Sequence, residues 1–463
     1  MQKYNEYKNT TEKWIPKIPV HWDFVNVKSL FEERKEKNTP LKTDFILSLT
    51  AKQGVIPYSE KKSGGNKAKD DISKYNIAHK NDLLVNCMNV VSGSSGVSNY
   101  YGAISPVYYA LYTRSQKTNI RYYEYLFRNS LFYTSLVGLG NGLMMKVSST
   151  GKLNTVRKRI PMNKLNKVML PYPPSEEQDQ IVRFLDWKIT EMNHFIHEKK
   201  KEIRLLEELK KAMICKFALE GLTKDTKFYK SDYPWINKVP IGWKETRLKN
   251  VLKKLNRIAH PEDELLVCSN SGKVIFRGDS RLGLVASSDD IYQGVRKGDL
   301  LIHGMDTWHG AIAVSNYNGK CTPVVHVCDS NENKRYIAYY LQALAYKKVY
   351  KAISNGVREN TSDFRSWNKA GSINILIPPT EEQNAISNLL DKKCNEIEDM
   401  IEGLRMEISY VTELRTKTIA DVITGKVDVR NVVIPEYEEI KEVEIDEDIE
   451  DDIEDSIDED SEE

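Results

Sequence analysis

The chain has 463 residues, 40% of them hydrophobic, which suffices for two to four domains with cores of their own. No apolar run approaches the roughly 20 residues of a membrane span, so no membrane helix is expected. The six cysteines form no Cys-x-x-Cys pair, which argues against a zinc site or a disulfide framework. The first residues show no signal-peptide pattern, and we therefore expect a cytoplasmic protein.

The formal net charge of +2 conceals two parts of opposite sign. Residues 436–463 hold 18 acidic residues and one Lys, which leaves 67 Lys+Arg and 48 Asp+Glu, a net of +19, over residues 1–435. A strongly basic body implies a polyanion as partner. The alternative is the solvated surface of a lysine-rich protein, to which Lys- and Glu-rich helices contribute.

Two sequence patterns each occur twice. The pattern Trp-Ile-x-Lys-β-Pro-β-x-Trp, with Val or Ile at β, occupies residues 14–22 and recurs 221 residues later at 235–243. Pro-Pro-[Ser/Thr]-Glu-Glu-Gln occupies residues 173–178 and recurs 205 residues later at 378–383. The chain is therefore a tandem duplication in which a tryptophan–proline entry, a globular region and a long helix follow one another twice. We expect the tryptophans to be packing anchors rather than ligand-stacking groups.

The Pro-Pro pairs mark the start of two long helices, because two consecutive prolines cannot continue a preceding helix. Ser175 and Thr380 can cap these helices with their hydroxyls, and Gln178 and Gln383 can reach back to complete a capping box. The two Glu residues between them lie in the first turn, where the helix dipole favours negative charge. We therefore predict a helix that begins at each Pro-Pro pair.

Apolar residues recur at helical spacing after both starts, and the patterns end near Gly221 and Gly425, which suit C-caps. The first stripe ends with Ile203, Leu206, Leu209, Met213 and Phe217, and the second with Ile397, Ile401, Leu404, Ile408, Val411 and Leu414. Each helix would have about 45 residues and a length of roughly 65–70 Å. Steps of three and four from Cys394 to Val411 are typical of a coiled-coil seam, so the two helices are predicted to pack on each other.

Two globular regions precede the helices and share one pattern of short strands followed by a helix. Strands are predicted in the first region at 45–49, 82–86, 102–105 and 107–112, and a helix at 121–136. In the second region strands are predicted at 265–268, 299–303, 311–314 and 324–327, and a helix at 335–352. Such a mixture indicates α+β domains. The predicted segments are residues 1–170 and 223–377 for the globular domains, 171–222 and 378–432 for the helices, and 433–463 for an acidic disordered tail.

Sequence motifs for catalysis are missing. The chain has no Gly-x-x-x-x-Gly-Lys-[Ser/Thr] phosphate loop, and its Pro-Pro pairs lack the flanking residues of the amino-methyltransferase motif. A histidine–cysteine cluster suggests a zinc or Cys-His site, but its spacing fits no motif; its members are His303, His309, His326, Cys321 and Cys328. We expect these to be buried or hydrogen-bonded strand residues instead.

The combination of features resembles the specificity subunit of type I restriction–modification enzymes, over about residues 14–430. Its strongest marks are the two Pro-Pro-x-Glu-Glu-Gln entries and the linker at 235–243. Further marks are Asn-Cys-Met-Asn at 86–89, Ser-Pro-Val-Tyr at 105–108 and the strand–loop His-Gly-Met-Asp-Thr-Trp-His-Gly at 303–310. The acidic tail after Val433 departs from the family pattern.

The resemblance implies an α+β fold with two globular α/β target recognition domains, each reading one half of a bipartite, asymmetric DNA site. Two long antiparallel helices would form a coiled coil that separates the domains and fixes the unread gap, and the whole would be a pseudo-two-fold tandem repeat. The subunit would have no catalysis and no cofactor of its own. Two methyltransferase subunits would use S-adenosylmethionine, and two motor–nuclease subunits would use ATP and Mg²⁺.

Candidate DNA contacts follow from residue chemistry, because Arg pairs bidentately with guanine and Asn with adenine in the major groove. In the second domain the candidates are Arg358, Asn360 and Arg365 for bases, with Thr361 and Ser362 for bases or phosphates. In the first domain the candidate phosphate contacts are Lys146, Arg157, Lys158 and Arg159, and the base-edge candidates are Asn89, Ser94 and Ser95. The alternative for the candidates of the second domain is a polar surface loop in which Asp363 pairs with an Arg.

Other functions are compatible with parts of the pattern. A coiled-coil scaffold would assemble proteins and bind DNA only nonspecifically, and a self-sufficient nuclease would carry an unrecognised site. The nine Tyr residues between 100 and 133 could stack on bases, although alternating strand burial is the expected use. The tail either solubilises the chain or covers the basic surface until DNA displaces it.

Overall fold

The computed structural model describes residues 2–61, 68, 71–88, 90–147, 153–222, 227–231, 236, 238–278, 291–353 and 364–437. At residues 91, 141–147 and 153–158 it describes the backbone alone. The chain divides into two compact units, the first assembled from two segments that are distant in sequence and the second from one continuous segment. The first unit combines Met1–Lys199 with Met406–Glu463, and the second is Lys200–Arg405.

The first unit is built from short strands and helices that precede the first long helix. Its strands are β1 (Tyr7–Asn9), β2 (Lys17–Pro19), β3 (Asp23–Asn26), β4 (Phe31–Glu33), β5 (Leu47–Thr50), β6 (Gly54–Pro57), β7 (Asn76–Ala78), β8 (Leu83–Asn86), β9 (Ser95–Val97), β10 (Gly102–Ile104), β11 (Tyr108–Thr113), β12 (Asn141–Val147), β13 (Leu153–Arg159) and β14 (Met169–Tyr172). Its short helices are α1 (Val27–Leu30), α2 (Ile120–Arg128), α3 (Ser130–Ser135) and α4 (Met162–Leu165). All four predicted strands of this region are confirmed.

An antiparallel four-stranded sheet in the order β4-β11-β8-β9 lies at the centre of the first unit. Successive side chains of a strand point to opposite faces, and β8 buries both of its faces. Leu83 and Val85 join the larger core cluster, which includes Phe127 of α2, whereas Leu84 joins a smaller cluster with Leu49. The α+β prediction is confirmed for this unit.

The second unit repeats this construction. Its strands are β15 (Phe228–Tyr229), β16 (Val239–Pro240), β17 (Lys244–Arg247), β18 (Lys253–Lys254), β19 (Leu266–Cys268), β20 (Val274–Phe276), β21 (Gln293–Val295), β22 (Leu300–His303), β23 (Ile312–Val314), β24 (Gly319–Cys321), β25 (Val325–Asp329) and β26 (Asn374–Ile377). Its short helices are α6 (Leu248–Val251), α7 (Lys334–Tyr346), α8 (Val349–Ile353) and α9 (Trp367–Ala370). The four strands predicted in this region are confirmed.

The central sheet of the second unit has the order β18-β25-β22-β23, which matches the first unit strand for strand. Its middle strand β22 is also buried on both faces. Leu300 and Ile302 belong to the larger cluster and Leu301 to the smaller one. The duplication predicted from two short patterns therefore extends to the cores of both units.

Both helices predicted within the globular regions are interrupted. The helix predicted at 121–136 is α2 and α3, which are separated at Asn129, whose side chain accepts the Leu131 N–H and begins a new helix. The helix predicted at 335–352 is α7 and α8, which are separated at Lys347 and Lys348. Lys348 has a φ of +58°, so the backbone leaves the right-handed helix there. Helical periodicity alone does not register these local breaks.

The two long helices begin and end as predicted, with one correction. Their bounds are Ser175–Glu220 for α5 and Thr380–Ile423 for α10. Gly221, directly after α5, and Gly425, two residues after the end of α10, have φ of +82° and +72°, the left-handed conformation of C-cap glycines.

The capping-box expectation is wrong, because both glutamines bond elsewhere. The Pro174 carbonyl accepts the first helical amides of α5, so Pro174 rather than Ser175 occupies the cap position. Gln178 donates to the Pro173 carbonyl at 2.7 Å and accepts the Asn119 N–H at 2.8 Å. In the second unit Gln383 donates to the Pro378 carbonyl at 2.9 Å and accepts the Asn333 N–H at 2.9 Å. Since Asn119 and Asn333 cap α2 and α7, each glutamine joins a long helix to a short one.

Within the first unit, the N-terminal part of α5 packs antiparallel to the C-terminal part of α10. Arg415 donates to the Asn193 side chain at 2.7 Å, and the Lys199 ammonium lies 3.2 Å from Glu407. As the residue number rises along α5, the number of its partner on α10 falls. The predicted antiparallel packing is therefore confirmed in this unit.

Within the second unit, the remaining parts of the two helices pack in the same manner. Glu207 lies 3.7 Å from Arg405, and the Lys210 ammonium lies 2.7 Å from Glu398. The seam residues buried here are the ones that the heptad spacing predicts: Cys394, Ile397, Ile401 and Leu404.

Two predicted stripe residues, Leu209 and Leu414, are instead about half exposed, at 49% and 51%. Near the end of α5 the buried residues are Ile214 and Ala218, which pack into the core of the second unit. Where α5 meets the globular core, its buried residues therefore lie on a different side of the helix from the coiled-coil seam. The single apolar stripe predicted for α5 is incomplete for this reason.

A glutamate carboxylate fixes the start of each long helix; Glu177 is buried, and Glu382 is partly exposed. Glu177 accepts hydrogen bonds from the Trp22 indole at 3.0 Å and the Tyr4 hydroxyl at 2.5 Å, and its other oxygen lies 2.8 Å from the His21 ring. In the second unit Glu382 accepts a bond from the Trp243 indole at 3.0 Å. Trp22 and Trp243 are buried, so the two repeated sequence patterns contact each other in both units through one glutamate and one tryptophan.

Replacing these glutamates should destabilise the two units unequally. Glu177→Ala leaves a buried indole N–H and a buried hydroxyl without an acceptor, which should lower the free energy of unfolding by about 3 kcal/mol or more. Glu382→Ala leaves one indole N–H without an acceptor, which should lower it by about 1–2 kcal/mol. Hydrogen exchange followed by mass spectrometry reports the opening of each unit separately. Glu177→Gln, which keeps a carbonyl acceptor, should lose less than Glu177→Ala. Equal protection of the first unit in Glu177→Ala and the wild type would contradict this assignment.

Candidate nucleic-acid interface

In the first unit, the segment after β13 is fixed to the loop that follows the central strand β8. The Ile160 N–H bonds to the Cys87 carbonyl at 2.9 Å, and the Tyr109 hydroxyl donates to the Ile160 carbonyl at 3.0 Å. Ile160 is fully buried. This pair of backbone contacts holds the end of β13 beside the β8–β9 loop.

The second unit has the same attachment at the corresponding place. The Phe364 N–H bonds to the Gly304 carbonyl at 3.1 Å, and the His326 Nε2 lies 2.7 Å from the Phe364 carbonyl, to which it donates. A Cβ at Gly304 would lie 3.0 Å from the Arg365 Cα, so glycine permits this close approach. Tyr109 and His326 thus perform one task with different side chains.

Two predicted DNA contacts flank these attachments. Arg159 directly precedes Ile160, and Arg365 directly follows Phe364. Both arginines are exposed, whereas Ile160 and Phe364 beside them are buried. Interaction with Cys87 and a hydrogen bond to Tyr109 raise the pKa of Arg159, so its charge persists. Each unit therefore presents an exposed arginine near the C-terminal end of an inner strand of its central sheet, and a buried neighbouring residue holds the backbone of that arginine in place.

The remaining candidate DNA contacts are buried, have only their backbone described, or fall outside the described residues. Ser94 and Ser95 are buried, so their hydroxyls do not face a surface where a base edge could reach them. Lys146, Arg157 and Lys158 lie on the β12–β13 hairpin, of which the backbone is described. The other candidates fall outside the described residues; these are Asn89, Arg358, Asn360, Thr361 and Ser362. DNA contact by all of these residues stays a prediction.

Sequence reasoning missed what orders the two loops. His303 Nδ1 accepts the Asp306 N–H at 3.0 Å, and Asn86 Oδ1 accepts the Met88 N–H at 3.0 Å at the corresponding end of β8. Both side chains therefore cap the first turn of a loop. The signal is present in the sequence, because His303 and Asn86 each close a hydrophobic strand. The prediction that His303 is a buried or hydrogen-bonded strand residue is confirmed, but its role in ordering the loop is not predicted.

Four members of the histidine–cysteine cluster are buried, namely His303, His326, Cys321 and Cys328, and His309 is partly exposed. Burial raises the pKa of the Cys321 and Cys328 thiols to about 12, and lowers the pKa of His303 and His326. The thiols therefore stay protonated at neutral pH. Across the described ranges, no three His, Cys, Asp or Glu side chains are grouped so that they could hold a metal ion.

No helix in the part of the chain that the structure describes has the length and apolar character needed to cross a bilayer. Both long helices carry charged residues throughout. The longest of them, α5, has a Lys- and Glu-rich centre.

Comparison with known proteins gives one consistent result. Residues 19–205 match the family described as the type I restriction modification DNA specificity domain. The type I restriction enzyme MjaVIII specificity subunit of Methanocaldococcus jannaschii is 24% identical over 462 residues, which cover 93% of this chain and 99% of that subunit. The MjaX specificity subunit of the same organism is 26% identical over 289 residues, 58% of this chain, and the match spans 62% of the MjaX length.

A solved structure shares the fold. A chain from a study of complex assembly and conformational transition of the type I R-M system superposes with a TM-score of 0.58 and 13% sequence identity. The superposition covers 89% of this chain and 99% of that chain. The arrangement of two α+β regions and two long helices is therefore found in a protein of very different sequence.

The second unit should lose stability as the pH falls below neutrality. The pKa of buried His326 is lower in the folded chain than its ordinary value, so the unfolded chain binds the proton more readily. Its contribution is complete above the unfolded pKa of about 6.5 and is lost as the pH falls below that value. Hydrogen exchange of the second unit at pH 7.5 and 5.5 measures the change.

His326→Tyr is the matched variant, because Tyr109 makes the equivalent bond in the first unit without titrating in this range. We expect the variant to keep the bond to Phe364 and to show a smaller pH dependence. Identical exchange of the second unit at both pH values in the wild type would refute the role given to His326.

Proposed function

We propose, because the chain belongs to the specificity subunits of type I restriction–modification enzymes, that it reads a bipartite, asymmetric DNA site and directs methylation and cleavage by partner subunits. The chain is a DNA-recognition subunit in which sequence choice resides. One observation supports the bipartite site above all others: two units share a frame but differ in the loops beside their central sheets. A common frame with unlike loops suits the reading of two unlike half-sites.

The charge of the chain supports DNA as the ligand. Residues 1–435 carry 67 Lys+Arg and 48 Asp+Glu, and phosphate contacts from such a body supply affinity that is independent of sequence. Arg159 and Arg365 are exposed on well-anchored backbone, which favours precise contacts. We propose that they lie at the protein–DNA interface.

We further propose that catalysis belongs to other subunits. Methyltransferase subunits would use S-adenosylmethionine, and motor–nuclease subunits would use ATP and Mg²⁺, while this chain would hold no cofactor. DNA as the target places the complex in the cytoplasm. The scaffold alternative has less support, because a scaffold would not need paired recognition loops on a repeated frame.

Two partner copies are supported by a repeated apolar surface. Among the described residues of the long helices, seven large apolar side chains are exposed, by between 39% and 68%. Met406 has a lysine, Lys201, at the corresponding position, and the other six form three pairs whose members are 205 residues apart. The first unit carries Phe195, Tyr410 and Leu414, and the second carries Met400, Leu205 and Leu209. Exposed apolar groups of this kind mark protein interfaces. Each unit thus has an equivalent set, and we propose that each set binds one methyltransferase subunit.

Removing one set should remove one partner copy. Tyr410→Ser with Leu414→Ser deletes apolar area from the first set, at about 2 kcal/mol for each side chain, and should reduce two bound copies to one. Leu205→Ser with Leu209→Ser should do the same for the second set. Native mass spectrometry of the co-expressed complex measures the stoichiometry. Val20→Ser, at an exposed apolar residue outside the long helices, is the control; two copies retained in both double variants would exclude these surfaces.

The recognition function is tested by mapping methylated bases across the genome. Without this chain, the sequence-specific pattern should disappear. Arg365→Ala should relax the preference at one position of one half-site, at about 1–3 kcal/mol, while Arg159→Ala should weaken binding uniformly and lower the salt slope by about 1. A change of preference in Arg159→Ala would assign it to a base instead of a phosphate. A pattern unaffected by loss of the chain would exclude the proposed function.

A further inference from the structure

A cavity of about 720 Å³ lies in the second unit, between the end of α5, the turn at Thr307–His309 and the junction of α7 and α8. Its volume falls within the roughly 300–1,000 Å³ that is usual for small-molecule sites. None of its lining residues belongs to the attachment that holds Arg365. The DNA contacts proposed above therefore do not account for it.

Five lysines from three elements line this cavity: Lys211, Lys216, Lys347, Lys348 and Lys351. In the described part of the chain, none of their ammonium groups forms an ion pair with a carboxylate. Glu220 is the acidic residue among the lining residues, and Lys238 lies 3.2 Å from it. The cavity therefore has an uncompensated positive charge.

Helix ends explain only part of this charge. The C-terminal ends of α5 and α7 favour cations, but each carries only about half a negative charge, so together with Glu220 they leave an excess of about +3. The repeat provides an internal reference. The residues 205 positions after Lys211 and Lys216 are Thr416 and Asp421, and the corresponding helix junction at 129–133 contains no basic residue. The frame can therefore be built without these lysines.

Aromatic rings form another wall of the cavity. The Lys351 ammonium lies 5.6 Å from the Trp308 ring, and the Lys211 ammonium lies 6.0 Å from the Tyr346 ring. Both rings are partly exposed. Lysines bind phosphates, and indole and phenol rings stack on bases, so the lining combines the two chemistries that a nucleotide presents.

The backbone at Lys348 adds an independent indication. Its φ of +58° lies in the left-handed region, where helix ends usually place glycine or asparagine. A lysine in this conformation is strained where a glycine would not be, so the position has a cost that its side chain can offset by binding a ligand. Lys348→Gly would relieve the strain and remove the charge together.

We propose that this lysine cavity binds the phosphate groups of a nucleotide. The nucleotide is either a free nucleoside triphosphate or a residue of the DNA backbone; the second case rests on the proposed function. Three to four negative charges on a triphosphate match the excess positive charge. The proposal concerns binding and does not require hydrolysis of the nucleotide. The nucleotide would contact the second unit only, because all lining residues belong to that unit.

The test uses the full-length chain with two probes at low salt, ATP without Mg²⁺ and a duplex of unrelated sequence. The variant is Lys348→Gly with Lys351→Ala, and Lys297→Ala, an exposed lysine outside the cavity, is the control. The double variant should bind at least one probe about 100-fold more weakly, about tenfold for each ammonium removed, with an unchanged or higher Tm. For the duplex, the salt slope should also fall by about 2.

The two probes distinguish the sources. Weakened ATP binding, together with an ATP-induced change of tryptophan emission that is lost in Trp308→Phe, assigns a free nucleotide. Weakened duplex binding alone assigns the DNA backbone. Unchanged affinity for both probes in the folded double variant overturns the inference, as does an equal loss in Lys297→Ala. A methylation map that still follows this chain shows that such a failure leaves the proposed function standing.

Discussion

The structure depends on a carboxylate–tryptophan hydrogen bond at the start of each long helix, in which the carboxylate is buried in the first unit and partly exposed in the second. Glu177 and Glu382 accept the indole N–H groups of Trp22 and Trp243, and the neighbouring glutamines bond to the caps of the short helices. A buried carboxylate without donors is costly, so these contacts make the long helix, the entry segment and the globular core interdependent. Within each unit, the start of the long helix is therefore held rigidly against its globular core.

The same frame supports two different surfaces. Strand order, helix breaks and the attachment of the segment after the central loop recur in both units, although Tyr109 in one is replaced by His326 in the other. The two units differ in sequence where the shared fold does not require a particular residue. These places are the loops after β8 and β22 and the lysines at the junction of α7 and α8. Recognition can therefore change while the frame stays the same.

Part of the candidate site could be predicted from the sequence. The sequence predicts Arg159 as a phosphate contact and Arg365 as a base contact, and both are exposed beside buried neighbours. Ser94 and Ser95 were selected for hydrogen-bonding chemistry and are buried, because residue type does not report which way a loop folds. The lysine cavity is not predicted, since its two groups of lysines are more than 130 residues apart along the chain and converge only through packing.

The sequence alone determined the duplication, the two long helices with their C-cap glycines, and the short strands of both cores. These follow from periodicity and from backbone constraints that act within a few residues. Only the tertiary structure decided the rest: which acceptor each glutamine uses, where the buried face of α5 departs from the predicted stripe, leaving Leu209 exposed and burying Ile214 and Ala218, and which cations share a cavity. Those features depend on contacts between distant segments, where free energies of burial and hydrogen bonding compete and local pattern carries no information about the partner.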